Sequence, residues 1–138
     1  MRLEIMRRSD IALRAMRLLQ GAAGPMRAAE IAEALGTTRA FLPQVLAPLV
    51  RAGWIDSDPG PRGGYRLAVD PSRVTLLELI EIEEGPTENH RCVLRGGPCP
   101  GEADCSLHDA WVSARHALME QLARQPVAAP LTSKEKSS

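Results

Sequence analysis

All three cysteines of this 138-residue chain fall in one stretch, Cys92-Val-Leu-Arg-Gly-Gly-Pro-Cys99-Pro-Gly-Glu-Ala-Asp-Cys105-Ser-Leu-His108. Three thiolates facing one another without a cation repel, so cysteines gathered in a short loop point to a soft metal site or to oxidation. Intramolecular disulfides would leave one of the three thiols over. Gly96, Gly97, Pro98, Pro100 and Gly101 between the cysteines forbid a regular helix or strand and let the chain wrap around something. His108 ends the stretch and adds a nitrogen donor. His90 and His116 flank it, and both read more simply as surface residues.

A loop of this kind needs rigid elements on either side. Thr75 to Glu84 reads as a helix capped by Ser72 or Thr75, with Leu76, Leu77, Leu79, Ile80 and Ile82 apolar. Ser106 to Gln125 carries Leu107, Trp111, Ala114, Leu118 and Leu122 at spacings of four, three, four and four. That is a long amphipathic helix with a coiled-coil-like seam. Such a seam needs a partner, and the same helix of a second chain supplies one, predicting a two-fold homodimer.

The residues before residue 75 form a different unit. Ser9 to Gln20 has helical spacing, with Ser9 or Asp10 as its expected cap. Met26 to Leu35 is a second helix ended by Gly36. Thr37 and Thr38 cap a third helix through Phe41, Leu42, Val45, Leu46, Leu49 and Val50, where Pro48 predicts a kink or a late start. Trp54–Ser57 and Tyr65–Val69 then read as two short strands joined by proline- and glycine-rich turn chemistry. A helix-turn-helix followed by a hairpin is a winged helix. The fold expected is thus mainly α with a small β-hairpin. A winged helix-turn-helix domain occupies 1–73, and a linker helix, cysteine loop and dimerisation helix occupy 74–126. The Pro-, Ala- and Ser-containing segment 127–138 reads as a disordered tail.

Charge agrees with this division. Net charge is zero, yet up to Arg66 there are ten Lys or Arg against six Asp or Glu, and beyond it seven against eleven. A basic half joined to an acidic half suggests nucleic acid on the basic side. Thr38, Arg39, Ala40 and Gln44 at the start of the third helix would reach major-groove edges of double-stranded DNA. Arg39 suits a phosphate, Gln44 an adenine, and Arg62 lies in the wing. Arg2, Arg7, Arg8, Arg14, Arg27, Arg51 and Arg66 are further phosphate candidates. Four aromatic residues are too few for a single-strand stacking platform. No apolar run reaches membrane-spanning length and no signal peptide is visible, so a cytoplasmic chain is expected. Nothing indicates an enzyme: there is no glycine-rich phosphate loop after a strand, and no nucleophile with a paired base.

Several of these segments together resemble the winged-helix iron–sulfur regulators of the IscR and NsrR type. The resemblance spans roughly residues 1–125. It rests on Met1-Arg2-Leu3, the helix-turn-helix, Gly53-Trp54-Ile55, Gly63-Gly64-Tyr65-Arg66-Leu67, the cysteine spacing, and Cys105-Ser-Leu-His108-Asp-Ala-Trp111. It implies a homodimeric transcriptional regulator, a repressor by expectation, responding to iron or cluster status, redox or nitric oxide at an operator. Cys92, Cys99 and Cys105 would hold a 2Fe-2S or 4Fe-4S cluster. The fourth ligand would be His108, as in one branch, or Asp10 from the partner subunit, as in the other. Pro59 stands where the family often carries Arg, with Arg62 shifted into the glycine run. Structural zinc on Cys92, Cys99, Cys105 and His108, or a metal-free thiol switch, are the competing readings.

Overall fold

The computed structural model describes residues 4–87, 91, 92, 94, 97, 98 and 105–130. Five helices and one hairpin follow in the order α1 (Arg7–Gln20), α2 (Ala28–Leu35), α3 (Phe41–Arg51), β1 (Ile55–Asp58), β2 (Gly64–Leu67), α4 (Leu76–Glu84) and α5 (His108–Arg124). Apolar faces of the first four helices converge on one core. Ile11, Met16, Ile31, Leu42, Leu46, Leu49, Ile55 and Leu79 are its fully buried large side chains, joined by Val127. The helical members come from positions that the 3.6-residue period puts on the inner face, while Ile55 enters from β1 and Val127 from beyond α5.

The turn between α2 and α3 is set by Gly36, which takes the left-handed conformation (φ 67°) that closes a helix. Thr38 Oγ1 accepts from Phe41 N at 3.0 Å, so the expected Thr38 cap is made. Pro43 falls in the first turn of α3, where no intrahelical partner is lost. Pro48 does not end the helix, which continues to Arg51. It cannot donate to the carbonyl four residues back, at Gln44, and that carbonyl accepts instead from Arg8 Nη2 at 3.2 Å.

The hairpin is antiparallel with Ile55 opposite Leu67 and Asp58 opposite Gly64. It is pinned to the start of α2: Met26 N donates to Tyr65 O at 2.9 Å and Tyr65 N to Met26 O at 2.7 Å. This pairing is why α2 begins at Ala28 and not at Met26. Gly64 is required here, since a Cβ would stand 2.6 Å from the Met26 carbonyl oxygen. Arg27 Nη2 also donates to Pro61 O, tying the wing loop to the same helix.

Two expectations are corrected. Neither Ser9 nor Asp10 caps α1, which starts earlier, at Arg7. Ser9 is buried, its hydroxyl turned to the Glu84 carboxylate at the end of α4. Val127, assigned above to a tail, is fully buried. Its N–H donates to Val74 O at 2.9 Å, and its carbonyl accepts from Arg17 Nε at 3.1 Å. Burying one branched side chain and satisfying its backbone outweighs the segment's loop-like composition. Residues 131–138 lie outside the described residues.

Helix α4 opens with a reciprocal capping box between Thr75 and Glu78. Helix α5 starts at His108 and packs on α4, and none of its residues is buried. Among the described residues no helix is long and apolar enough to cross a membrane.

Candidate functional site

The face of α3 opposite its buried stripe of Leu42, Val45, Leu46 and Leu49 presents Pro43, Gln44 and Arg51 to solvent. Thr38, Arg39 and Ala40, just before it, are exposed as well. The four residues expected to read a groove are therefore on one accessible edge. Gln44 Nε2 donates to Ala40 O at 3.3 Å, which holds the amide along the helix. Arg7 lies beside this edge, lining a hollow with Gly36, Thr37, Thr38 and Phe41.

The arginines divide by what they already touch. Arg66 lies 3.7 Å from Asp56 and 3.3 Å from Asp58, so its charge is balanced within the wing. Arg14 faces Asp10 at 3.8 Å. Arg8 is committed to Glu83 at 2.9 Å and to the Gln44 carbonyl. These three are thereby weaker phosphate candidates than the sequence suggests. Arg39 and Arg62 are exposed and form no ion pair among the described residues. Arg2 lies outside them.

In the cysteine region the chain turns back on itself. Cys92 N donates to Gly97 O at 2.7 Å, and Arg91 bridges to Pro98. Cys92 and Cys105 are both buried, with their sulfurs 3.8 Å apart. A disulfide would need about 2.05 Å. Two sulfurs each about 2.3 Å from one tetrahedral metal lie about 3.8 Å apart. The separation is that of an S–H···S hydrogen bond between two thiols, and it equally suits two thiolates of one metal centre, iron or zinc alike. Cys99 and His90 lie outside the described residues.

His108 opens α5, half-buried, its backbone N–H donating to Cys105 O at 3.2 Å. Asp10 is exposed on α1, beside an apolar hollow lined by Ile5, Leu13, Leu76, Leu79 and Ile80. Among the described residues of this single chain, no group of three or more His, Cys, Asp or Glu side chains gathers for a metal. Neither His108 nor Asp10 therefore completes the Cys92–Cys105 pair here.

Sequence reasoning missed the polar cluster that joins α1 to the end of α4. Besides Ser9, Met6 N donates to Glu84 at 3.3 Å, and Arg8 Nε donates to Glu83 at 2.9 Å. The Glu83 side chain is wholly buried, and its Oε1 has no hydrogen-bond partner among the described residues. Burial pushes the Glu83 carboxyl above its ordinary range, against the opposing pull of Arg8. The one available signal was Pro48, which announces an orphaned carbonyl at Gln44 without saying what fills it.

Comparison with known proteins agrees with this architecture. The Rrf2 family, described as an iron-dependent transcriptional regulator, matches residues 5–130. The HTH-type transcriptional regulator IscR of Escherichia coli is 34% identical over 93 residues, 67% of this chain. The chain spans 57% of the length of that relative. Among solved structures, CymR, the global cysteine regulator of B. subtilis, superposes with TM-score 0.72 at 25% identity, over 91% of this chain and 94% of that one. IscR of T. potens shares the fold, with TM-score 0.68 at 24% identity over 91% of this chain and 83% of its own. With its winged helix, exposed α3 edge and cysteine-bearing segment ahead of α5, this chain belongs to the Rrf2 family of winged-helix transcriptional regulators.

Proposed function

We propose that this chain is a homodimeric, DNA-binding repressor whose operator affinity is set by an iron–sulfur cluster held by Cys92, Cys99 and Cys105. The observation that carries the reading is the buried Cys92–Cys105 pair at 3.8 Å, a spacing suited to two thiolates on one metal. Such a cluster supplies a redox- and nitric oxide-reactive centre whose presence reports iron supply. The protein's own part is positional. The segment between Gly85 and Leu107 joins α4 to α5, and α4 packs on both α1 and α3. Its Glu84 also holds the backbone and hydroxyl at the start of α1.

Double-stranded DNA is the ligand of α3 and the wing in this reading. Thr38, Arg39, Ala40 and Gln44 enter the major groove, and Arg62 makes the wing's contact. Dimerisation is supported by α5, where Leu118 is 53% exposed on a helix without a buried residue. Ile5 and Met6, also more than half exposed, extend the uncovered apolar surface. Asp10 lies on α1 just beyond them and would reach the site only from a partner subunit. His108 would serve from the same chain.

An absorption spectrum of anaerobically purified protein, with iron, acid-labile sulfide and zinc assayed on the same sample, tests the cofactor. Matched iron and sulfide support the cluster, and loss of it in His108→Ala or Asp10→Ala identifies the fourth ligand. A colourless protein with about one zinc per chain overturns the sensor and leaves a structural metal. The likeness to CymR, a cysteine regulator, keeps a metal-free thiol switch as the second reading. Failure to take up iron and sulfide on reconstitution would favour it.

A further inference from the structure

Resting on the DNA-binding reading of α3, we infer that Arg8 is the positioning residue of this helix: it holds the backbone carbonyl that Pro48 leaves without a donor and anchors it to Glu83 at the end of α4. The argument starts from the proline. A helix interior normally satisfies every carbonyl from four residues ahead, and Pro48 removes that donor from Gln44. Gln44 O lies on the exposed side of α3, among the residues that face a groove. Arg8 Nη2 reaches it at 3.2 Å while Arg8 Nε donates to Glu83 Oε2 at 2.9 Å.

Only a guanidinium spans both acceptors, because its donors sit in a rigid fork. A lysine's three donors radiate from one nitrogen, so it cannot reproduce the two separate donor atoms that Arg8 aims at Glu83 and at Gln44 O. The Glu83 side chain is fully buried whereas Arg8 keeps 32% of its surface exposed, so the carboxylate is the fixed point and the arginine the arm. Glu83 stands two residues before Gly85, where α4 ends and the cysteine-bearing segment begins. Movement of the α4 terminus is thereby delivered to the middle of α3. The plainer alternative is an ion pair that merely stabilises the fold. It predicts no special relation between Arg8 and Pro48.

That relation is the test. The full chain would be compared as wild type, Arg8→Lys, Arg8→Ala/Glu83→Gln and the same variants with Pro48→Ala, which restores an N–H to the Gln44 carbonyl. The glutamine removes the charge that Arg8→Ala alone would strand in the core. Amide exchange of residues 45–51 is followed without DNA, and binding is followed on 30-bp duplexes enriched from a randomised pool by the wild-type protein. Loss of the clamp should speed exchange in α3 and weaken binding on the order of tenfold. Adding Pro48→Ala should return both to within about twofold of the Pro48→Ala protein alone, the gap ordinary additivity error allows. Unchanged α3 exchange in the Arg8 variants, or a loss that Pro48→Ala fails to rescue, overturns the positioning role. Should the wild type enrich no duplex, the DNA reading falls, and the exchange pattern alone decides the clamp.

Discussion

Replacing Gly64 by alanine should detach the wing from the helix-turn-helix, at a cost that can be assembled from the geometry. Gly64 has φ 143°, in the range that side-chain-bearing residues rarely adopt, and such strain costs about 1–3 kcal/mol. The added Cβ would also stand 2.6 Å from Met26 O and 2.8 Å from Met26 C, both backbone atoms that cannot rotate away. Displacing them breaks the two-way Met26–Tyr65 pairing, whose bonds are each worth about 0.5–1.5 kcal/mol. The total comes to about 2–6 kcal/mol, a large share of a typical domain's stability. Gly60 is the internal control. Its φ is 102°, yet nothing lies within 4 Å of its added Cβ, so Gly60→Ala should bear the strain alone. Urea unfolding of both at one fixed chain concentration would measure the difference, since any self-association then enters both midpoints alike. The expected gap between the variants is about 2 kcal/mol, read as a lower midpoint at unchanged slope. Equal losses in Gly64→Ala and Gly60→Ala would refute the claim that the Met26 contact fixes the wing.

Glu83 makes a prediction about pH. Because its folded carboxyl is raised above the ordinary 4.5, its stabilisation is full below that value and is lost as pH rises through the folded one. The stability of Glu83→Gln relative to wild type should therefore climb with pH from about 4.5 upward; a relative fall would mean that the Arg8 pair outweighs burial. Val127→Ala should cost about 2 kcal/mol despite the residue's place beyond the last helix, and a neutral thermal melt would argue against its burial. In DNA titrations over a salt series, Arg39→Ala and Arg62→Ala should each reduce the slope of log affinity against log salt by about 0.9. Arg66→Ala should leave the slope unchanged, because Asp56 and Asp58 already balance its charge; a drop equal to that of Arg62→Ala would contradict this.

Much of the fold was legible because it depends on local chemistry. The glycine at 36, the Thr38 and Thr75 caps and the apolar spacing of α1 to α4 all act within a few residues of themselves. The features that sequence misplaced depend on distant partners. Ser9 has the composition of a cap, yet Glu84, 75 residues away, claims its hydroxyl. Val127 follows Pro126 and precedes two alanines, and nothing local shows that Val74 and Arg17 await it. Among the site residues, Cys92 and Cys105 lie 3.8 Å apart although they stand thirteen residues apart in the chain. Pairing of Arg66 and Arg8 could not be read off, since ion pairs leave no periodic trace.

The backbone bonds that join Val74 to Val127 and Leu76 to Gln125 give α4 and α5 a common root. From that root α4 rises nine residues and α5 runs back seventeen, about 13 Å against 25 Å, so the first turns of α5 overhang the end of α4. The pair behaves as callipers with unequal legs and a closed hinge. The connection that carries Cys92 and Cys105 joins the far ends of the two helices in the chain, where a force acts with the longest lever about the root. A shift of about 1 Å across legs near 13 Å long is a rotation of about 4°, and that rotation must be taken up by the helix packed against α1 and α3. A displacement at the far ends of α4 and α5 is thus geared to the packing of α4 on α1 and α3.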